Sequence, residues 1–278
     1  MNIIGLGNAG CAIADKFAQY PQYNIYKIDV GLKGNKKDGV FAVNKQQGPE
    51  EYEKNCPSFK NFLKNVTGEV YLFVAGSGNI SSCSLRLLET IKDCEINVVY
   101  IRPNTEVLSG NKKLLENITF NVFQEYARSA VFKRLYIVDN AHVESIIGEI
   151  PIASYYDTIN SFIVDTLHMI NVYKHSEPVQ SHIFVDDDIT RISTIGIYDI
   201  EKSEEKMFFS LDNVRNKHYI YAINKETLES DGSLFRKITQ QTNSVSQQKV
   251  DINFEIFSTN YDHNYGYLIA NSHIIQGQ

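Results

Sequence analysis

Residues 2–10 have the sequence NIIGLGNAG, in which an apolar run ends in three closely spaced glycines. The apolar run is typical of a short buried strand, and the residues after it have helical spacing. Glycines at such a junction let the backbone turn sharply and approach a phosphate, whose charge the free amides at the helix start attract. The stretch therefore predicts a nucleotide-binding loop with these members: Gly5, Gly7, Asn8, Ala9 and Gly10.

Asp29 extends the prediction from this first loop. It lies nineteen residues after Gly10, near the end of the next strand-like stretch, 24–30. An acid in that position binds a ribose hydroxyl in dinucleotide-binding folds. The alternative is a glycine turn that serves only the tight packing of a helix against a strand.

A second junction of the same kind follows the apolar run EVYLFVA, residues 69–75. A continuous run of this length is typical of a strand that is covered on both faces of a sheet. Backbone amides and serine hydroxyls after it predict a second anion-binding loop, with these members: Gly76, Ser77, Gly78, Asn79, Ile80, Ser81 and Ser82. The alternative is a helix that Asn79 or Ser81 caps without any ligand. No GxxxxGK[ST] sequence occurs, which excludes a Walker-type loop.

Strand and helix patterns alternate through the first half of the chain. We predict strands at 2–6, 24–30, 69–75, 96–102 and 134–139, and helices at 9–20, 82–92 and 112–128. A further helical segment is predicted at about 50–66, with an interruption at Pro57. Repeated units of this kind predict an α/β fold with a Rossmann-like parallel sheet. We assign this sheet to a nucleotide-binding domain at residues 1–151.

A long helix is predicted from residue 152, because apolar residues then recur every three or four positions for about five turns. This central helix is assigned to residues 152–176. It is followed by a smaller mixed α/β domain at 177–278. There we predict strands at 217–224, 250–259 and 265–272, and a helix at 234–242.

Two further groups of residues are candidates for function. Tyr156 and Asn160 lie one helical turn apart, so that the tyrosine could stack on a purine and the asparagine could bind a guanine edge. Spacing alone favours a core tyrosine beside a surface asparagine. Asp186, Asp187 and Asp188 are adjacent carboxylates that could bind a metal or polarise a water, although such a triplet is more often a solvated turn.

Composition bounds the class of protein. The chain has 278 residues, 43% of them hydrophobic and 22% charged, which excludes disordered and disulfide-scaffold classes. Its formal net charge of -6 argues against a dedicated nucleic-acid binder. No stretch approaches the roughly 18 apolar residues of a membrane helix, and the four cysteines form no CxxC pair. We therefore expect a cytoplasmic protein without direct binding to nucleic acid or membrane, in the host cytoplasm if a virus encodes it.

Taken together, these features resemble the tubulin/FtsZ superfamily of nucleotide-dependent filament proteins. Residues 3–10 look like its first glycine loop, and residues 73–82 occupy the place of its signature loop, GGGTGTG or similar. Residues 101–103, Ile-Arg-Pro, look like its T-R-P stretch. The segment from Tyr156 to Asn160 resembles the family's central helix, in which an aromatic residue and an asparagine contact guanine. Of the signature glycines, only Gly76 and Gly78 are present.

The resemblance implies binding of GTP or GDP with Mg²⁺ and head-to-tail self-assembly into filaments. It also implies that the acidic loop, with Asp186 and Asp188 as the catalytic acids, completes the nucleotide site of a neighbouring subunit. The chain is then a GTPase that is weak or dependent on assembly. Two alternatives stay open: an NAD(P)-dependent Rossmann oxidoreductase, based on the first loop and Asp29, and a degenerate tubulin-like scaffold without GTPase activity.

Overall fold

The structure is a computed structural model that describes residues 1–183, 189–246 and 249–277. The described chain divides into two units, Met1–Val164 and Asp165–Gly277. In the part of the chain described, no helix has both the length and the apolar character needed to cross a bilayer.

The elements alternate in the first unit and are more mixed in the second. The strands are β1 Asn2–Leu6, β2 Asn24–Val30, β3 Val40–Val43, β4 Glu69–Ala75, β5 Glu95–Arg102, β6 Arg134–Asp139, β7 Gln180–His182, β8 Ile192–Asp199, β9 Glu204–Met207, β10 Val214–Asn224, β11 Asp251–Thr259 and β12 Tyr265–Ser272. The helices are α1 Gly7–Phe17, α2 Pro49–Lys54, α3 Ser84–Thr90, α4 Gly110–Arg128, α5 Asn140–Ile147, α6 Tyr155–Lys174, α7 Lys225–Ser230 and α8 Leu234–Ser246.

In the first unit, which is described throughout residues 1–164, six strands form a parallel sheet in the order β3-β2-β1-β4-β5-β6. Its central strands are mostly apolar and are buried along most of their length, because helices cover a parallel sheet on both faces. The predicted α/β fold with a parallel sheet is therefore confirmed.

The order of these strands determines where a ligand site can form. The chain adds β2 and β3 on one side of β1, and then adds β4, β5 and β6 on the other side. In open α/β sheets, ligands bind beyond the carboxyl ends of the strands, at the point where the strand order reverses. Here that point lies between β1 and β4, the two strands that precede the glycine loops.

Among the described residues of the second unit, strands pair in the order β8-β12-β10-β11-β7, and β9 pairs with β8. Strands β10 and β11 are parallel, whereas the other pairs are antiparallel. Helix α8 packs on this sheet through Leu234 and Ile238, which join a buried cluster with Tyr198, Tyr219 and Tyr221. The unit thus has a core of its own.

The structure differs from the sequence prediction at one long segment. The helix predicted at 50–66 ends at Lys54, and turns follow it. Phe59 and Phe62 of these turns are buried and pack on Phe41 of β3, with ring centroids 5.2 Å apart in each pair. The interruption predicted at Pro57 lies in this non-helical stretch, but the helix predicted after it was wrong, because its apolar residues fill a space beside β3, a strand that the sequence pattern does not reveal.

The long helix and several short elements also depart from their predicted bounds. Helix α6 begins at Tyr155, after a 3₁₀ turn at Ile152–Ser154, and ends at Lys174. Short elements that were not predicted include α5, α7 and β9, which have eight, six and four residues respectively. Elements of this length carry too few periodic positions to be recognised from sequence.

Candidate functional site

The first glycine loop connects β1 to α1 without an intervening residue. Gly7 adopts a φ of 75°, a conformation that side chains disfavour, and begins the helix. In this described region, no side chain caps the amino end of α1, and its first turn contains no acid. The amides of that turn are therefore open to an anionic ligand beside the exposed Asn8.

Gly5 and Gly10 have a different function from Gly7. A Cβ atom at Gly5 would overlap the carbonyl of Gly10, and one at Gly10 would overlap the carbonyl of Phe73 on β4. Both glycines thus allow α1 to approach β1 and β4 closely. For these two residues, the packing alternative explains the glycine without a ligand.

The second glycine loop leaves β4 and enters a 3₁₀ helix, Asn79–Cys83. Gly78 lies at the N-cap with an ordinary φ of −91°, and no described atom lies within 4 Å of a Cβ placed there. In this fully described segment, no side chain caps the 3₁₀ helix or α3, which follows it. The alternative, in which Asn79 or Ser81 caps a helix, is therefore wrong. The Ser81 hydroxyl instead donates to the Gly78 carbonyl at 2.6 Å and closes the turn.

The two loops meet at one edge of the sheet. Leu6 at the end of β1 lies opposite Val74 near the end of β4, so both loops leave the sheet side by side. A Cβ at Gly7 would be 2.9 Å from Cγ2 of Ile80, whose side chain is only 8% exposed. Ile80 therefore covers one side of Gly7, and the open amides of both loops border the same surface.

Asp29 lies near the end of β2, at the same edge of the sheet. Its neighbour Ile28 is opposite Leu6 in the register of β1 and β2. The Asp29 carboxylate accepts a hydrogen bond from the backbone N–H of Val30 at 2.8 Å. Partial burial raises the pKa of this carboxyl, while that hydrogen bond opposes the rise.

Tyr156 and Asn160 lie in the first turns of α6, with burial opposite to what spacing alone suggests. Tyr156 is 67% exposed, whereas Asn160 is 8% exposed. The alternative of a core tyrosine beside a surface asparagine is therefore wrong. An ion pair of 2.6 Å between Lys16, in the last turn of α1, and Asp157 places the start of α6 beside the carboxyl end of α1.

The remaining predicted acids cannot be related to this geometry. Asp186 and Asp188 lie outside the described residues. Within the described ranges, no group of three or more His, Cys, Asp or Glu side chains could hold a metal ion.

A buried polar cluster beneath the second loop was not predicted. Tyr100 of β5 donates a hydrogen bond to Glu116 Oε1 of α4 at 2.9 Å. Arg102 packs over Phe120 and lies 4.0 Å from Asp139, which also accepts a hydrogen bond from the backbone N–H of Ala141. The sequence held one signal, since Glu116 precedes Phe120 by four positions and so lies on the stripe of α4 that contains Phe120 and Phe123.

Gly76 lies directly on this cluster. A Cβ at Gly76 would overlap the Tyr100 hydroxyl and Glu116 Oε2. Gly76 is thus required by the buried pair beneath it, and the second loop offers Gly78 as its accessible glycine.

Known structures agree with this architecture, although no protein-family model and no curated protein sequence matches the chain. GDP-form protofilaments of TubZ from Bacillus thuringiensis serovar israelensis match with a TM-score of 0.71 at 15% identity, over 97% of this chain and 86% of that one. An FtsZ dimer from M. jannaschii matches with a TM-score of 0.69 at 12% identity, over 98% and 87%. A GTPγS-bound protofilament of CetZ2 from Haloferax volcanii matches with a TM-score of 0.66 at 11% identity, over 97% and 92%.

These likenesses extend over nearly the whole chain and define its class. The protein has the tubulin/FtsZ fold, as the resemblance of its sequence features implies. At 11 to 15% identity to these structures, it is a divergent form of that fold.

Proposed function

We propose that the protein binds GTP or GDP across the two glycine loops and assembles head to tail into filaments. The observation that supports this most strongly is the close approach of Gly7 to the Ile80 side chain. It shows that the two loops lie side by side at the point where the strand order reverses. One loop would suffice for a simple glycine turn. Two uncapped loops that share a surface suit a ligand with several phosphates.

Each part of the site has a chemical task in this proposal. The backbone amides from Gly7 to Ala9 and from Gly78 to Ile80 bind the phosphates, because the first N–H groups of a helix have no intrahelical acceptor. Tyr156 stacks on the base and Asn160 binds its edge, while Asp29 bonds the ribose. The other loop residues that we propose as part of the nucleotide site are Gly5, Gly10, Gly76, Ser77 and Ser81.

Magnesium would enter this site with the nucleotide. Mg²⁺ prefers hard oxygen ligands such as phosphate oxygens, which the nucleotide would supply. When bound, the ion neutralises charge on the phosphates. The amides of the two loops orient those phosphates.

The proposed assembly is supported by the likeness of the fold to known filament structures. TubZ, FtsZ and CetZ2 structures with this fold are described as protofilaments or dimers. We propose that Asp186 and Asp188 of one subunit approach the nucleotide of the next and position the attacking water. A head-to-tail contact of this kind builds an open filament rather than a closed ring. Hydrolysis would then be weak in the monomer and depend on assembly in the cytoplasm.

A dinucleotide-dependent oxidoreductase remains the second candidate, because the strand order β3-β2-β1-β4-β5-β6 and Asp29 also suit a dinucleotide. It leaves the second loop without a function.

Thermal unfolding with GTP, GDP, ATP and NAD separates these functions. We expect GTP and GDP to raise the unfolding midpoint, since a ligand that binds only the folded state stabilises it. We also expect light scattering to rise when GTP and Mg²⁺ are added to concentrated protein. Stabilisation by NAD alone would favour the oxidoreductase. Assembly without release of phosphate would favour a scaffold that does not hydrolyse GTP.

A further inference from the structure

Glu116 is a carboxylic acid in an apolar position beneath the second loop. It is fully buried, on the face of α4 that also carries Phe120, Phe123 and Ala127. Burial of a charged carboxylate without full hydrogen bonding is costly. A carboxyl group in such a position therefore either serves a function that offsets this cost or is protonated and neutral.

The contacts of Glu116 are unequal at its two oxygens. Oε1 accepts the hydrogen bond from the Tyr100 hydroxyl, whereas buried Oε2 has no hydrogen-bond partner among the described residues. Oε2 instead lies against the backbone of Gly76, where any Cβ would overlap it. The carboxyl and the phosphate-binding loop are therefore in direct contact.

We propose that Glu116 is a positioning residue for the second loop, and that its carboxyl becomes more fully protonated, with uptake of protons from solution, when a nucleotide binds. This inference rests on the proposed function. The neutral acid leaves the loop free to hold an anionic phosphate. The ionised carboxylate places a negative charge beneath Gly76 and repels that phosphate.

The surroundings of Glu116 allow both the neutral and the ionised carboxyl to be populated near neutral pH. Burial raises the pKa of Glu116 to about 7. On β5, the hydrogen bond from Tyr100 and the charge of Arg102 oppose that rise, and Asp139 at the end of β6 adds to it. The charge of a bound phosphate acts in the same direction as Asp139. Affinity must then fall as the pH rises through the pKa of the free protein.

Titration calorimetry with GDP tests this coupling without hydrolysis. Dissociation constants of the wild type and Glu116→Gln are measured from pH 6 to pH 8, in buffers of different ionisation heat. The ratio of the two constants cancels the titration of GDP itself. We expect the ratio of wild type to variant to rise about fivefold, the value for a pKa that is about one pH unit higher in the complex. The wild type should also take up more protons than the variant.

Tyr100→Phe provides a second variant that keeps the carboxyl in place. Loss of the Tyr100 hydroxyl removes a hydrogen bond that lowers the pKa of Glu116, so the midpoint of the pH profile should move to higher pH. Equal pH profiles and equal proton uptake in the wild type and Glu116→Gln would overturn this inference but leave the proposed function intact. A wild type that binds no GDP at any pH would contradict the proposed function and, with it, the inference.

Discussion

The glycines of the two loops differ in what each allows the backbone to do. Gly5 and Gly10 let α1 approach the sheet, and Gly76 lies against a buried acid. Gly7 needs its positive φ, while Gly78 has an ordinary φ and open space around it. A substitution at Gly78 is therefore tolerated by the fold, and its effect reports on a ligand.

Gly78→Ala tests the second loop at this scale. The new methyl group meets no described atom within 4 Å, so the free energy of unfolding should change by less than about 0.5 kcal/mol. In the proposed site the same methyl group lies where a phosphate approaches the backbone, so we expect GDP affinity to fall at least about tenfold, or 1.4 kcal/mol. Titration calorimetry and denaturant unfolding measure the two effects.

Gly232→Ala is the matched control for this substitution. Gly232 has equally open surroundings among the described atoms and lies in the second unit, between α7 and α8. Its substitution should leave GDP affinity unchanged. Unchanged affinity in Gly78→Ala as well would remove the second loop from the site.

The sequence predicts the loop glycines but not their separate functions. The spacing of Gly5, Gly7 and Gly10 indicates a turn between a strand and a helix, and the structure contains that turn. The contact of Gly10 with Phe73, however, depends on which strand lies beside β1. Glu116 was missed for a related reason, since its burial depends on contacts with β5.

At the scale of elements, the start of α6 presents an exposed aromatic side chain beside α1. Tyr155 donates to Glu144 of α5 at 2.5 Å, and Lys16 pairs with Asp157. These contacts hold the first turn of α6 from two sides. Tyr156 between them is left exposed and is the aromatic group available to a base.

Tyr156→Ala tests whether this turn binds the base. Because Tyr156 is 67% exposed, its loss should change the free energy of unfolding by less than about 0.5 kcal/mol. Loss of stacking on guanine should weaken GDP binding by about 0.5–1.5 kcal/mol, roughly twofold to tenfold. Ile152→Ala is the control, since Ile152 is 97% exposed just before the helix. Equal affinities of both variants and the wild type would contradict a base at this position.

Elements with strong patterns are predictable, and those defined by tertiary packing are not. Strand β4 is a continuous apolar run, and the periodic apolar residues of α6 extend over most of its length, so both are recognised locally. The turns at Phe59 and Phe62 have helix-like spacing, but their rings pack on Phe41 of a distant segment. Strand β3 was missed because it is short and follows a polar stretch.

At the scale of the whole molecule, strand order explains why loops separated by about 70 residues in sequence can form one site. The chain returns to the other side of β1 when it adds β4, and the two loops leave the sheet next to each other. This reversal is not visible in the sequence, which shows only that strands and helices alternate. The fold match to the TubZ and FtsZ structures covers nearly the full chain.

A crystal structure of the protein with GDP or GTPγS tests the central claim most directly. We predict that the phosphates accept hydrogen bonds from the amides after Gly7 and after Gly78, with the guanine beside Tyr156 and Asn160. A nucleotide that contacts only one of the two loops, or that lies away from the reversal between β1 and β4, would contradict the account.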